Sequence, residues 1–177
     1  HQVIKEIYKT TVLKKVTSKR SLIWHGWITL SATLLGFAFG TALGILLAVG
    51  IVFSKSMDMS VMPWVITSQT IPILAIAPMI IVVLSALGVQ GLLPKALIST
   101  YLSFFPVTIS MVKGLRSPET IELDMMKTWN ANGIDTLLRL RLPASIPFLF
   151  TGMKIGIAAA LVGAIIGELP TGAVSGL

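Results

Sequence analysis

Polar side chains that could contact a small solute cluster within one long uncharged stretch of the chain. Four consecutive hydroxyl or amide residues lie there, and two prolines follow them closely. Such side chains are costly where they face lipid, and each proline removes a backbone hydrogen bond from a helix. Because broken helices at membrane depth are tolerated where they line a pathway, the pattern predicts a translocation path, with a plain structural kink as the alternative. The candidate residues are Thr67, Ser68, Gln69, Thr70, Pro72 and Pro78.

A second set of path candidates lies in the apolar segments that follow. Ser103 and Ser110 are hydroxyl residues within one such segment, and Pro106 between them predicts a kink. Glu168 ends the last apolar segment, where it could attract a cation, form part of an outer gate or pair with Lys95. An acid that simply rests at the membrane interface is an equally good interpretation of Glu168.

The residue types give little support to catalytic, metal or nucleotide chemistry. The chain has no cysteine and two histidines, His1 and His25, so it offers neither a thiolate metal site nor a histidine cluster. The sequence lacks the Gly-x-x-x-x-Gly-Lys-Ser/Thr loop that cradles ATP phosphates. A membrane enzyme would need several His, Asp or Glu residues at one depth, and only His25 and Glu168 lie near membrane level. We therefore predict no catalytic residue, no metal and no cofactor bound by this chain.

The elements that position these residues follow from composition and charge. Hydrophobic residues make up 54% of the 177 residues, charged residues make up 12%, and the mean hydropathy is +0.88. These values exclude disorder and favour a membrane protein. Since a helix crosses the bilayer with about 20 apolar residues, and lipid requires an internally paired backbone, the uncharged stretches predict four helical spans. Within a transmembrane domain of 21–177, these spans are 21–53, 62–88, 95–112 and 147–168.

Small residues recur at helical spacing in the first and last of these spans. Gly36, Gly40 and Gly44 form two overlapping GxxxG units, and Gly152 and Gly156 repeat the spacing. This pattern lets a second helix approach closely, which favours a tightly packed bundle. The alternative is that glycine is simply frequent in membrane helices.

Residues 1–20 form a basic arm with six cations and one acid. An interfacial helix on phospholipid headgroups and a solvated basic segment are both compatible with this composition. The net charge is +7, but the 14 cations divide seven against seven between the two faces of the predicted domain. Charge alone therefore leaves the orientation open, and the positive excess does not indicate nucleic acid as a partner.

A polar loop, residues 113–146, contains the only long charged stretch after the arm. Residues 130–133, Asn-Ala-Asn-Gly, predict a turn because Asn and Gly tolerate left-handed backbone. A short helix is expected before this turn and another from about 134 to 142, ending before Pro143. Opposite charges nearly balance in the loop, which suits it to docking a protein, and Trp129 is a candidate hot spot.

This loop resembles the cytoplasmic loop of ABC importer permeases, whose pattern is Glu-Ala-Ala, three residues, Gly, and later Leu-Pro. Counting back from Pro143 puts the glycine position at Asn130 and the glutamate position at Asp124. The resemblance covers roughly 21–177. It is closest to the branch that imports nitrate, taurine, aliphatic sulfonates and thiamine-pyrimidine precursors.

Two departures from the family pattern bear on docking. Met125 and Met126 replace the two alanines, so the groove of the partner must differ or be forgiving. Asn130 replaces the glycine, and asparagine is the best substitute for glycine if the turn requires a positive φ.

The resemblance implies an all-α, polytopic helical bundle of the type I importer permease kind in the bacterial inner membrane. The loop would be cytoplasmic and the basic arm outside. The implied partners are an ABC ATPase subunit that binds ATP-Mg, an extracytoplasmic substrate-binding protein and a second permease copy in a homodimer. Since family members usually have six spans, one missing span before residue 1 and one after residue 177 are expected. The implied docking residues are Asp124, Met125, Met126, Lys127, Trp129, Asn130, Ala131, Asn132, Gly133, Leu142 and Pro143.

We therefore expect a permease subunit of an ATP-driven importer, which forms the path for a small polar solute while its partner hydrolyses ATP. An ion-coupled transporter or channel is the alternative, because it would also use polar, broken helices. Such proteins normally carry intramembrane acids as ion sites, and no carboxylate lies within the first three predicted spans.

Overall fold

The computed structural model describes residues 22–89 and 91–168, with side chains from Gly26 onward. The basic arm predicted over residues 1–20 lies outside the described residues. Every regular element in the described part of the chain is helical. This agrees with the all-α expectation and with the requirement that backbone groups in lipid be paired within their own segment.

The first four helices bring the chain from one end of the bundle to the other. In chain order they are α1 (Leu22–Phe53), α2 (Lys55–Thr67), α3 (Ile73–Ala86) and α4 (Leu92–Leu115). A short 3₁₀ turn, Ser68–Thr70, separates α2 from α3. Three further elements complete the described chain: α5 (Thr120–Thr128), α6 (Gly133–Thr136) and α7 (Leu142–Ile166).

Three helical segments in the described part are long and apolar enough to cross a bilayer. They are Gly26–Phe53, Leu92–Leu115 and Gly133–Ile166. The segments Lys55–Thr70 and Ile73–Ala86 bend by 99° at the break between them and would form a fourth crossing if taken together. The predicted span 62–88 is thus two helices at nearly a right angle rather than one continuous rod.

Helix α4 lies at the centre, between α1 and α7. A Cβ placed on Gly36 would lie 2.7 Å from the carbonyl oxygen of Ala96, and one on Gly44 would lie 3.0 Å from Val107. Helices α1 and α4 therefore run parallel. Gly152 would meet Pro106 at 2.9 Å, and Gly163 would meet Ser99 at 2.8 Å, so α7 runs antiparallel to α4. The two glycine series predicted as packing surfaces both face α4, and they meet some of the same residues of it, Ser103 among them.

The apolar core is concentrated at the end of the bundle that carries the polar loop. Its buried residues come from α1, from α4 and from Leu137 at the start of the final helical segment, and they are Ala48, Ile51, Met111, Val112, Leu115 and Leu137. A smaller cluster of Ala77, Ile81 and Ile98 holds α3 against α4. The polar loop is therefore built directly on the packed core.

The predicted helix end before Pro143 is wrong. The helix that begins at Gly133 continues to Ile166, and a π-helical turn over Leu137–Arg141 precedes Pro143. In that turn the amide of Leu142 bonds to the carbonyl of Leu137, five residues back. The register shift lets Pro143, which has no N–H, enter at the first turn of α7 without breaking the helix.

Candidate functional site

Helix α5 begins the part of the polar loop that the sequence predicted as a docking element. Its N-cap is Glu119, and a capping box forms because the Glu119 and Glu122 side chains each accept a backbone N–H of the other residue. The backbone N–H of Glu119 donates to Oε2 of Glu122 at 2.9 Å. This reciprocal cap satisfies two amides at the helix start and fixes where α5 begins.

Backbone and side-chain hydrogen bonds also fix the turn that follows α5. Asn130 has φ 53°, in the left-handed region, which is the geometry that the asparagine-for-glycine substitution anticipated. The amide of Asn130 donates to the carbonyl of Lys127, and the amide of Ala131 donates to that of Met126. These two bonds form a Schellman motif. Asn132 then caps α6, because its side-chain oxygen accepts the amide of Asp135 at 2.8 Å.

Between these caps the loop presents an exposed apolar surface. Trp129 is 71% exposed and Met125 is 50% exposed, whereas Met126 is buried beneath them. Asp124, at the family's glutamate position, accepts a hydrogen bond from Nζ of Lys127 at 2.8 Å, and both side chains are exposed. Isolated exposed apolar residues are common, but several on one short capped helix mark a surface suited to protein contact.

A cavity of about 430 Å³ opens beside α5, between that helix and the π turn. We call it the loop cavity. Apolar side chains form much of its lining, and polar residues of α5, of the turn after it, of α6 and of the π turn form the rest. The lining residues are Glu122, Met125, Met126, Trp129, Asn130, Ala131, Asp135, Arg139 and Leu140.

Both ends of the polar loop are tied to the bundle. At the first end Arg116 pairs with Asp58 of α2 at 2.8 Å. At the second end Arg141 donates from Nη1 to the carbonyl oxygen of Leu115, the last residue of α4, at 3.2 Å. A cation is favourable there because the carbonyl end of a helix carries partial negative charge. Leu142 packs against the adjacent core, whereas Pro143 is exposed.

Helices α4 and α7 are in close contact directly beside these ties. A Cβ on Gly114 would lie 2.8 Å from Cα of Ser145, which is itself 1% exposed. The two helices therefore approach each other closely where the loop joins them.

The predicted path residues of the broken helix lie where α2 bends into α3. Thr67, Gln69 and Thr70 are exposed, and Ser68 is half-buried. The three hydroxyls donate to nearby backbone carbonyls of the same segment, at 2.7–2.8 Å. The carbonyl of Ser68 accepts a 2.6 Å hydrogen bond from the hydroxyl of Tyr101 on α4, which holds the bend in place.

The prolines of the spans behave differently from one another. Pro72 has ψ 109° and ends the bend as the extended residue before α3. Pro78 and Pro106 lie inside α3 and α4 without ending either helix. The break is therefore located at Pro72, next to the four polar residues.

Two predicted path residues occupy packed positions instead. Ser103 is fully buried, and its hydroxyl donates to the carbonyls of Gly36 and Thr100 at 3.3 and 3.2 Å. Ser110 lies against α7, where a Cβ on Gly152 would meet the Cβ of Ser110 at 2.7 Å. Both residues belong to the glycine-mediated contacts of α4, so we leave them out of the proposed path.

Glu168 forms an ion pair with Lys95, one of the three roles predicted for it. Nζ of Lys95 lies 3.3 Å from Oε1 of Glu168, and the side chains are 4% and 6% exposed. The hydroxyl of Thr29 donates to the same carboxylate oxygen at 2.7 Å. The pair thus joins α1, α4 and the end of α7, at the end of the bundle opposite the polar loop.

Several residues of these sites escaped sequence reasoning. Tyr101 is an ordinary aromatic in an apolar span, and Thr29 is one hydroxyl among many, so neither has a distinguishing pattern. Gly114 could have been found, because with Gly152 and Gly163 it belongs to the small residues that permit close helix approach. Arg141 directly precedes the Leu142–Pro143 pair, but the family pattern gives that position no role.

Several known proteins are similar in sequence to most of this chain. A probable ABC transporter permease protein of Haemophilus influenzae is 32% identical over 158 residues, which cover 89% of this chain and 63% of the relative. The formylaminopyrimidine transport permease protein ThiX of Halalkalibacterium halodurans is 30% identical, covering 89% of this chain and 62% of the relative. The riboflavin transport system permease protein RibX of Chloroflexus aurantiacus is 32% identical, with 86% and 56% covered. The chain thus spans about six tenths of the length of these relatives.

A family match covers α4, the polar loop and the broken helix together. Residues 40–176 match the family described as "Binding-protein-dependent transport system inner membrane component". This match confirms the predicted family and the type I permease fold, and it identifies a transport component rather than an enzyme. The chain belongs to the family of binding-protein-dependent transport system inner membrane components.

Proposed function

We propose that this chain is part of the membrane subunit of an ATP-driven importer and that its polar loop docks onto an ABC ATPase subunit. The observation that carries this proposal is the geometry of the loop. A short helix, capped at both ends, presents exposed apolar side chains, and the loop that carries it is tied by Arg116 to α2 and by Arg141 to the end of α4. A displacement of α5 by a partner would therefore be passed directly to membrane helices.

The docking surface centres on Met125 and Trp129, with Asp124 and Lys127 at its exposed edge. The turn residues 130–133 fix the end of this surface. In this proposal ATP-Mg is bound and hydrolysed by the partner, and this chain contributes no catalytic group. The loop is cytoplasmic, so the Lys95–Glu168 pair lies at the outer end of the bundle.

The proposed path runs along the bend between α2 and α3. Thr67, Gln69 and Thr70 are exposed there, and the side-chain amide of Gln69 has no hydrogen bond within the described part of the chain. A second copy of the chain would face this bend across the path, and an extracytoplasmic binding protein would deliver the solute. The relatives named for formylaminopyrimidine and riboflavin support a small polar solute as cargo.

Glu168 does not favour the alternative of an ion-coupled transporter. An ion site needs an intramembrane carboxylate that is available to the ion. Glu168 is buried and already bonded to Lys95 and Thr29. Helices α1, α3, α4 and α7 contain no acid. The two acids near the ends of the other candidate crossing segments, Asp58 and Asp135, pair with Arg116 and Arg139.

Association with the ATPase tests the proposal. The full-length protein in detergent is expected to co-purify with its cognate ATPase subunit. Trp129→Ala should weaken the complex by about thirtyfold, the loss of a hot-spot residue, and Asp124→Lys should also weaken it. Trp64→Ala is the matched control, because Trp64 is 77% exposed but lies on α2, outside the loop. Undiminished binding by both loop variants would refute the docking role.

A further inference from the structure

The loop cavity is large enough to receive a side chain from another protein. Its volume of about 430 Å³ far exceeds the roughly 30 Å³ that one water occupies in the liquid. Met126 is buried and Leu140 half-buried, whereas Met125 and Trp129 are exposed beside them. Methionine adapts its shape to different neighbours, so this lining can close around an inserted apolar group.

The charges at the cavity are unequally neutralised. Asp135 and Arg139 pair with each other at 3.8 Å. Glu122 accepts the amide of Glu119, but no cationic side chain of the described residues lies within 4.0 Å of its carboxylate. The cavity therefore has one net negative charge, located at the start of α5.

Asp124 differs from Glu122 in this respect. Its carboxylate lies outside the cavity lining and is already bonded to Lys127 of its own helix at 2.8 Å. Exposed pairs of this kind contribute little stability, but they reduce the local field that a partner's cation would meet. Among the carboxylates that line the loop cavity, Glu122 is therefore the one whose charge a partner's cation can neutralise.

We propose that the loop cavity receives an apolar side chain of the ATPase subunit, and that a lysine or arginine next to that side chain pairs with Glu122. This inference rests on the proposed docking of the loop. It makes the contact reciprocal: α5 lies against the partner, and a residue of the partner enters the space between α5 and the π turn. The intermolecular ion pair forms at Glu122 rather than at Asp124, although Asp124 stands at the family's glutamate position.

Filling the cavity tests the first half of the proposal. The full-length permease is placed in nanodiscs, and its affinity for the purified cognate ATPase subunit is measured by biolayer interferometry. Leu140→Trp occupies the cavity and is expected to weaken binding about tenfold or more. Leu138→Trp is the matched control, because Leu138 is 57% exposed and does not line the cavity. The control should stay within about twofold of the unmodified chain.

Removing the charge tests the second half. Glu122→Gln keeps the capping box, since glutamine serves at this position as well as glutamate, and it removes only the negative charge. We expect about threefold to tenfold weaker binding at low ionic strength and a flatter dependence on salt. Asp124→Asn, which removes a charge that Lys127 already neutralises, should flatten the salt dependence less than Glu122→Gln does.

Cross-linking identifies what enters the cavity and covers the case in which Leu140→Trp fails to fold. Met125→Cys in an otherwise cysteine-free chain carries a short photo-reactive probe, and adducts are mapped by mass spectrometry. An adduct on an apolar ATPase residue beside a lysine or arginine supports the proposal. Adducts on lipid or on a second permease copy overturn it.

The outcomes separate this inference from the proposed function. If the unmodified chain binds the ATPase but Leu140→Trp and Glu122→Gln bind equally well, the cavity proposal is wrong and the docking loop stands. If the unmodified chain shows no affinity for the subunit, both proposals fall.

Discussion

Replacing Lys95 with methionine would remove one charge from the buried ion pair while nearly preserving the length of the side chain. Glu168 would then keep the hydrogen bond from Thr29 but lose its opposite charge. Glu168→Leu makes the complementary change and leaves the ammonium group without its carboxylate. The double replacement, Lys95→Met with Glu168→Leu, removes both charges at once.

The expected cost follows from the burial of the pair. Because the two side chains are only 4% and 6% exposed, solvent screening does little to weaken the interaction. Each single replacement should lower the free energy of unfolding by about 3–5 kcal/mol, since it removes the opposite charge with which a buried ion pairs. The double variant should lie within about 2 kcal/mol of the unmodified chain, because apolar side chains of similar volume replace the pair.

Reversible unfolding in mixed dodecyl maltoside and sodium dodecyl sulfate micelles, followed by circular dichroism, provides the measurement. Lys154→Met is the matched control, because Lys154 lies on α7 but is exposed and makes no ion pair within the described residues. Its unfolding free energy should change by less than about 0.5 kcal/mol. A thermodynamic cycle over the unmodified chain, the two single variants and the double variant then gives the coupling energy between Lys95 and Glu168.

The reasoning fails if the two single variants are each as stable as the control and their effects simply add in the double variant. Additivity would mean that the two charges do not interact across the bundle. A double variant as unstable as the sum of the single variants would likewise show that side-chain volume, rather than charge, stabilises this end of the molecule.

Three further predictions concern the path, the helix contacts and the loop. Gln69→Leu should change solute uptake in proteoliposomes without changing ATPase association. Unaltered uptake would show that the bend between α2 and α3 is only a structural kink and does not line the path. Gly114→Ala should destabilise the bundle by about 1–3 kcal/mol through its clash with α7, whereas Gly26→Ala, with no atom of the described residues within 4 Å of the added Cβ, should be nearly neutral. Equal unfolding midpoints for the two variants would contradict this. Asn130→Val should destabilise the turn by about 1–2 kcal/mol and Asn130→Gly should not, as judged by hydrogen exchange of α5; equal exchange in both variants would exclude a left-handed requirement.

The long helices were predictable because charged side chains are costly inside a bilayer, so the uncharged stretches indicate which segments can cross it. A stretch of more than 20 uncharged apolar residues has few alternatives to a membrane helix, and α1 follows such a stretch. Helix α4 follows a shorter one, the uncharged residues 96–112 between Lys95 and Lys113. The turn at Asn130 was predictable for a local reason, since few residues tolerate a positive φ. Both features depend on residues near each other in the chain.

The assignment of polar residues to the path was less predictable. Gln69 and Ser103 are both polar residues within apolar stretches, yet one is exposed at a bend and the other is fully buried against two helices. Periodicity does not separate them, because a membrane helix is apolar on its lipid face as well as on its packed face. The helix end predicted before Pro143 was wrong for another reason. Sequence rules assume an α-helical hydrogen-bond register, whereas the π-helical turn before Pro143 changes that register and lets the helix continue without the proline N–H.

The burial of Lys95 also bears on how the protein is made. Of the three long segments, Leu92–Leu115 is the least apolar, and it buries Lys95, Ser99, Ser103 and Thr108. Lys95 precedes Glu168 by 73 residues in the sequence, so its cation is synthesised well before the carboxylate with which it pairs. The buried ion pair that joins α4 to the end of α7 can therefore form only after α7 and Glu168 have been translated.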